Sequence, residues 1–196
     1  MKVAIIKYNA GNVQSVRYAL NRLGIEPVVS DNAEELKSAD KVIFPGVGEA
    51  STAMNYLKSR NLDALIRELK QPTLGICLGL QLMCSHSEEN NTDCLNIFPM
   101  KVKKFPSLNQ VKVPQMGWNS IKNYKGKLFK GLQEGSFMYF VHSFYAELSE
   151  QTAAVTDYVL PYSSAIEKDN FYAVQFHAEK SSREGAVILK NFIELT

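Results

Sequence analysis

What most constrains this chain is the alternation of unbroken apolar runs with helix-spaced apolar stripes through its first half. Val3-Ala4-Ile5-Ile6 and Val42-Ile43-Phe44 carry no polar break. Such runs suit strands buried on both faces of a parallel sheet. Pro27-Val28-Val29 and Thr73-Leu74-Gly75-Ile76 supply two more short strands. Between them, Val13, Val16, Leu20 and Leu23 recur at helical spacing, with Gly24 as a C-terminal cap. Ala50, Ala53, Met54 and Leu57 form a second stripe, and Leu62, Leu65, Ile66 and Leu69 a third. Strand–helix alternation of this kind predicts an open, mostly parallel sheet flanked by helices on both sides.

The second half is patterned differently. From about residue 95 to 175 the apolar runs are short and separated by turn residues, and helical periodicity is weak. Additional strands, some antiparallel, are expected near Val102 and over residues 111–113, 120–122, 137–141, 153–156, 164–167 and 171–176. A last helix follows. Ser181-Ser182-Arg183-Glu184 fits a capping box, and Ala186, Leu189, Phe192 and Ile193 give the helix a buried face. A chain of 196 residues that is 45% apolar suits one domain, 1–196, with a sizeable core. Its net charge of +2 makes no case for nucleic acid. The basic cluster Lys101-Val102-Lys103-Lys104 reads as a solvated strand face. The N-terminus lacks the apolar core and cleavage site of a signal peptide, and no apolar run approaches the ~20 residues of a membrane span, so a cytoplasmic protein is expected. Cys77, Cys84 and Cys94 lack metal-ligand spacing. Reduced thiols are expected, with no metal and no cofactor.

Candidate chemistry falls at the carboxyl ends of predicted strands, the edge where open parallel sheets bind ligands. Cys77 sits where a strand turns into a helix, with Gly75 and Gly79 two residues away on either side. This is the cysteine form of a nucleophile elbow. Glycines let strand and helix pack closely, and a helix N-terminus favours a thiolate. His177 follows another apolar strand, with Glu179 two residues on. A cysteine nucleophile needs a base, and the base needs a carboxylate to hold its tautomer. Alone, His-x-Glu also describes a surface histidine beside a glutamate. Pro45-Gly46-Val47-Gly48 follows a third strand and lacks phosphate-loop spacing; its backbone amides and that of Leu78 are candidates to meet an oxyanion.

Together, Gly75-Ile76-Cys77-Leu78-Gly79-Leu80-Gln81 and His177-x-Glu179 resemble the class I (triad-type) glutamine amidotransferases. Pro45-Gly46-Val47-Gly48, Pro114-Gln115-Met116-Gly117-Trp118-Asn119, Tyr139-Phe140-Val141-His142-Ser143-Phe144 and Gln175-Phe176-His177-Ala178-Glu179-Lys180-Ser181 narrow the resemblance to the glutaminase subunits of imidazole glycerol phosphate synthases. It covers essentially the whole chain. It implies a flavodoxin-like core and a Cys77–His177–Glu179 triad that releases ammonia from glutamine. It further implies an oxyanion hole at Val47, Gly48 and Leu78, and glutamine held by Gln81, Glu89, His142, Ser143 and Phe144. The implied partner is a (βα)₈-barrel cyclase subunit, faced by Asn12, Trp118, Tyr139 and Lys180, which takes up the ammonia in histidine biosynthesis. In this family activation depends on ligand in the partner, so the resemblance implies a resting loop at residues 45–48.

One residue departs from the pattern. The family usually has proline between the histidine and the glutamate, and here Ala178 stands there. Proline would stiffen the turn that aims both side chains. Two other classes stay open at the level of sequence. One is a cysteine peptidase or thioesterase on a related scaffold, which leaves Gln81 and the Trp118 segment unexplained. The other is a non-catalytic interaction subunit. Within the main reading, a paralogue feeding another acceptor, such as a surface sugar, is a further variant.

Overall fold

In the computed structural model, residues 1–9, 11–107 and 111–195 are described. The expected alternation is present. β1 (Val3–Ile6), β2 (Val28–Ser30), β3 (Lys41–Phe44) and β4 (Thr73–Ile76) are separated by α1 (Val13–Arg22), a short α2 (Ala33–Lys37), and the pair α3 (Ala50–Ser59) and α4 (Leu62–Glu68). Helix α2 has no apolar stripe to announce it. It is held by its cap, since Asn32 Oδ1 accepts from the amides of Glu34 at 2.9 Å and Glu35 at 3.1 Å.

After β4 come α5 (Leu78–Met83), β5 (Cys84–Ser87), β6 (Thr92–Asp93), β7 (Phe98–Lys104), β8 (Gln115–Ser120), β9 (Phe137–His142), β10 (Phe144–Ala146), β11 (Thr152–Asp157), β12 (Pro161–Lys168), β13 (Phe171–Val174) and α6 (Ser182–Ile193). Among the described residues the main sheet runs β2-β1-β3-β4-β13-β12-β10-β7-β5-β6, with β11 added on β12. The five strands from β2 to β13 are mutually parallel. β12 turns the direction, and antiparallel pairing continues through β10 to β7. The mixed sheet of the sequence reading is therefore present, parallel on one side of β13 and mostly antiparallel on the other.

Burial explains the unbroken runs. Ala4 and Ile6 of β1 join the core beneath α3, α4 and α5, while Val3 and Ile5 join the core beneath α1 and α6. Both faces of the parallel strands are covered, so neither has polar alternation.

Three local expectations fail, the first being a strand over residues 120–122: Ser120 closes the preceding strand and Lys122 makes an isolated bridge to Val155. Residues 111–113 form no strand; the strand begins instead at Gln115 and pairs with β9 as a separate ribbon, with Trp118 opposite Tyr139. The capping box at Ser181 is also absent. Ser181 Oγ donates to His177 O at 2.7 Å and accepts from Tyr139 N at 2.9 Å, so the hydroxyl is committed away from the helix start. Gly185 lets α6 press on the preceding turn, because a Cβ there would overlap Ala178 O.

Candidate active site

β3, β4 and β13 are neighbours in the sheet and point the same way. Their carboxyl ends therefore bring three distant segments together: residues 45–48, Cys77, and residues 175–181. Cys77 has φ 54° and ψ −106°, a strained conformation for a residue with a side chain. The two glycines of the elbow have separate jobs. A Cβ on Gly79 would overlap Phe44 O, and one on Gly75 would lie 3.0 Å from Met83 Sδ. Both allow α5 to sit directly against the ends of β3 and β4.

His177 and Glu179 are buried, and His177 Nδ1 lies 2.7 Å from Glu179 Oε1. Burial alone would lower the His177 pKa. Hydrogen bonds to Cys77 and Glu179, with the negative charge of both, push it up to about 10. A protonated ring between sulfur and carboxylate is the favoured state. Glu179 Oε2 is buried without a hydrogen-bond partner among the described residues, so His177 and Asn12 are what compensate this carboxylate.

Asn12 has a role here that the sequence did not show. The resemblance puts it toward a partner; its side-chain amide donates to Glu179 Oε1 and lies 3.4 Å from His177 Nδ1. It occupies the N-cap of α1 with φ 79° and makes no side-chain cap. Its side chain bonds the His177–Glu179 pair rather than the helix. Gln175 is a second such residue. Fully buried, it donates to Cys77 Sγ at 3.7 Å and accepts from Gln81 Nε2 at 3.0 Å. Gln81 also donates to Phe144 O at 3.0 Å. A polar residue at the end of the β13 apolar run was the available signal for Gln175. For Asn12 no sequence signal existed, because its partners lie 165 and 167 positions away.

Cys77, His177 and Gln81 border a cavity of about 350 Å³, whose lining also includes Val47, Gly48, Leu78, Glu89, His142, Ser143, Phe144 and Lys180, with Pro114 and Val141. Every residue expected to bind glutamine or an oxyanion lies on its wall. Glu89 accepts from Ala50 N at 2.8 Å, and burial raises its pKa. His142 is pushed down to about 4 by burial, with the charge of His177 lowering it further against a hydrogen bond to Phe144 O. The neutral ring donates from Nδ1 to Phe144 O at 2.7 Å, and its Nε2 lies 3.2 Å from the Tyr162 hydroxyl, which donates to Gln115 Oε1 at 2.9 Å.

The candidate oxyanion donor of the elbow is not free. Leu78 N–H is given to Gly46 O at 3.2 Å. The loop thus turns a carbonyl, not an amide, toward the elbow. Among the expected partner-facing residues, Trp118 is 52% exposed and packs edge-on to Tyr139 at 5.9 Å; Lys180 is exposed at the cavity rim.

Comparison with known proteins gives one consistent answer. Residues 4–195 match the glutamine amidotransferase class-I family. A Bacteroides thetaiotaomicron protein named imidazole glycerol phosphate synthase subunit HisH is 60% identical over 196 residues, covering 100% of both chains. A Haemophilus influenzae protein of the same name is 44% identical over 195 residues, covering 99% of this chain and 98% of its own. Among solved structures, a glutamine amidotransferase superposes with a TM-score of 0.74 at 20% identity, covering 99% of this chain and 98% of that one. A second, from Thermotoga maritima, superposes with a TM-score of 0.65 at 17% identity, covering 99% of this chain and 81% of that one.

Proposed function

The chain belongs to the class I glutamine amidotransferases, and from that premise we propose that it is the glutaminase subunit of imidazole glycerol phosphate synthase, acting in histidine biosynthesis. Full-length identity of 60% and 44% to proteins of that name supports the reading. The observation that carries the chemistry is the buried Cys77–His177–Glu179 relay opening on a cavity of about 350 Å³. Such a space suits a small amino acid.

Cys77 attacks the side-chain carbonyl of glutamine as a thiolate, with the protonated His177 ring beside it. The oxyanion is held by Leu78 N–H and, once the Gly46–Val47 peptide has turned, by an amide at Val47 or Gly48. Losing one such donor typically costs ~10²–10³ in turnover. His177 gives its proton to the departing ammonia, leaving a γ-glutamyl thioester on Cys77. The neutral ring then takes a proton from water, which attacks the thioester and frees glutamate. Glu179 keeps the ring oriented throughout. Gln81, Glu89, His142 and the main chain at Ser143 and Phe144 hold the amino-acid end of the substrate.

Ammonia passes to a cyclase subunit, which we take to be a (βα)₈ barrel in a heterodimer docking over Trp118, Tyr139, Asn12 and Lys180. The acceptor there is a phosphoribulosyl-formimino ribonucleotide, and the products are imidazole glycerol phosphate and an aminoimidazole carboxamide ribotide. Among the described residues no helix is long and apolar enough to cross a membrane. Work in the cytoplasm would keep the three free cysteines reduced. The bond from Leu78 N to Gly46 O supports a resting state that the partner must release. Glutamate release by the chain alone, with the cyclase, and with cyclase plus nucleotide tests the reading. Strong stimulation by the liganded cyclase, abolished in Cys77→Ala, is expected. A chain that binds the cyclase but never releases glutamate would overturn it in favour of a non-catalytic subunit.

A further inference from the structure

Tyr8 lies just beyond β1, and β1 pairs in parallel with β3, so its side chain reaches the loop that leaves β3. It is 7% exposed, its ring rests 5.2 Å from that of Phe44, and its hydroxyl donates to Pro45 O at 2.6 Å. The same hydroxyl fills the place of a side chain at Gly46, where any Cβ would overlap it. The next carbonyl, Gly46 O, takes the Leu78 amide. Val47 Cγ2 stands 3.2 Å from where a Cβ on Gly11 would lie, so the following residue is also flanked by the loop after β1. Burial, with Cys77 nearby, raises the Tyr8 pKa well above the ordinary phenol range, and it stays an O–H donor at any working pH. None of these contacts reaches the reacting atoms.

We propose that Tyr8 is the latch of the resting loop: its hydroxyl, bonded to Pro45 O and filling the space over Gly46, holds the orientation in which Gly46 O blocks the Leu78 amide. The inference rests on the amidotransferase reading above. Two adjacent carbonyls are fixed in this state, one by Tyr8 and one by Leu78. With Pro45 O tied, the Gly46–Val47 peptide must turn over by itself, through ψ of Gly46 and φ of Val47. With the hydroxyl gone, the preceding peptide shares the rotation and the resting state loses one buried hydrogen bond. Tyr8 is thus a positioning residue, and its removal should raise the unstimulated rate rather than lower the stimulated one.

Tyr8→Phe keeps the ring on Phe44 and removes only the donor. For the isolated chain we expect kcat for glutamine hydrolysis to rise roughly 3- to 10-fold with KM little changed. With the cyclase and its nucleotide bound, kcat should stay at the wild-type value, so the stimulation ratio falls by the same factor. An unchanged or lower unstimulated kcat overturns the latch, as does a gain that comes through KM. Hydrogen exchange of the amides at residues 46–48 gives a reading independent of turnover. Faster exchange in Tyr8→Phe supports the latch and equal exchange overturns it. If wild type is never stimulated, the functional reading fails, and the exchange result still decides the latch.

Discussion

At the scale of single residues, the site is a set of buried polar groups that satisfy one another across long sequence separations. Asn12 shows what this means for activity. Its amide bonds the Glu179 carboxylate while its own backbone sits at φ 79°. A neutral donor to a buried charge contributes about 1.5–3 kcal/mol. Asn12→Ala should therefore lower kcat in the stimulated complex by about tenfold or more, with KM nearly unchanged, as steady-state glutamate release would show. An equal loss in KM would mean that Asn12 holds substrate instead. Ala178 points the other way. It opens a 3₁₀ turn, Ala178–Lys180, a position where the fixed φ of proline fits. His177 before it, at φ −82° and ψ 91°, lies outside the helical region that a following proline disfavours. Ala178→Pro should keep or raise turnover and add about 0.4–1 kcal/mol of stability. A fall in glutamine turnover in the complex would show that alanine does not loosen this turn.

At the scale of elements, β9 ties the site together. The Tyr139 carbonyl on β9 accepts from His177 N at 2.9 Å, and the Tyr139 amide donates to Ser181 Oγ at 2.9 Å, clamping both ends of the turn that carries His177 and Glu179. This is why the capping box could be read at Ser181 and yet not form: a local motif offers one partner for the hydroxyl, and tertiary contacts supplied two others. The parallel strands were legible because burial on both faces leaves an unmistakable run of apolar residues. β8 was not, because its apolar side, Met116 and Trp118, faces outward and polar Gln115 is buried. Alternation shows that a strand has two faces; which face is covered depends on what packs there. The inner face of β9 ends at His142, with a pKa of about 4 against an ordinary 6.5. The unfolded chain takes up a proton below about 6.5 and the folded ring does not until about 4. Its contribution to stability is full above 6.5 and is lost as pH falls toward 4. Between pH 7.5 and 5, wild type should lose about 2 kcal/mol more than His142→Gln. Denaturant unfolding of both proteins at the two pH values measures this, and parallel losses would place a charged ring in the folded state.

At the scale of the whole molecule, the active edge and an apolar outer surface lie side by side. β3, β4 and β13 deliver residues 45–48, Cys77 and His177 to one end of the sheet, and the β8–β9 ribbon stands beside that end. Its outer face presents Met116, Trp118 and Phe137, which are 66%, 52% and 57% exposed. Three large apolar side chains left in water on a ribbon whose other face is core mark a surface built to be covered. The parallel strands and the residues at their ends could be read from sequence, since each depends on local pattern; their order, with β13 beside β4, could not. The exposure of this ribbon is in no local pattern, since it depends on the absence of a further layer; only the family resemblance put Trp118 and Tyr139 on an outward face. The cyclase proposed above is the occupant this surface suits, because a partner resting on Tyr139 would be two hydrogen bonds of the Tyr139 main chain away from His177 and Ser181. Trp118 packs edge-on to Tyr139 at 5.9 Å and is the natural anchor. Trp118→Ala should weaken cyclase binding by at least ~2 kcal/mol, roughly thirtyfold in Kd, as titration calorimetry would show. Thermal stability of the isolated chain should hardly change, since an exposed side chain contributes little to folding. Unaltered affinity would move the docking surface off the ribbon, and a large drop in Tm would show that Trp118 belongs to the core after all.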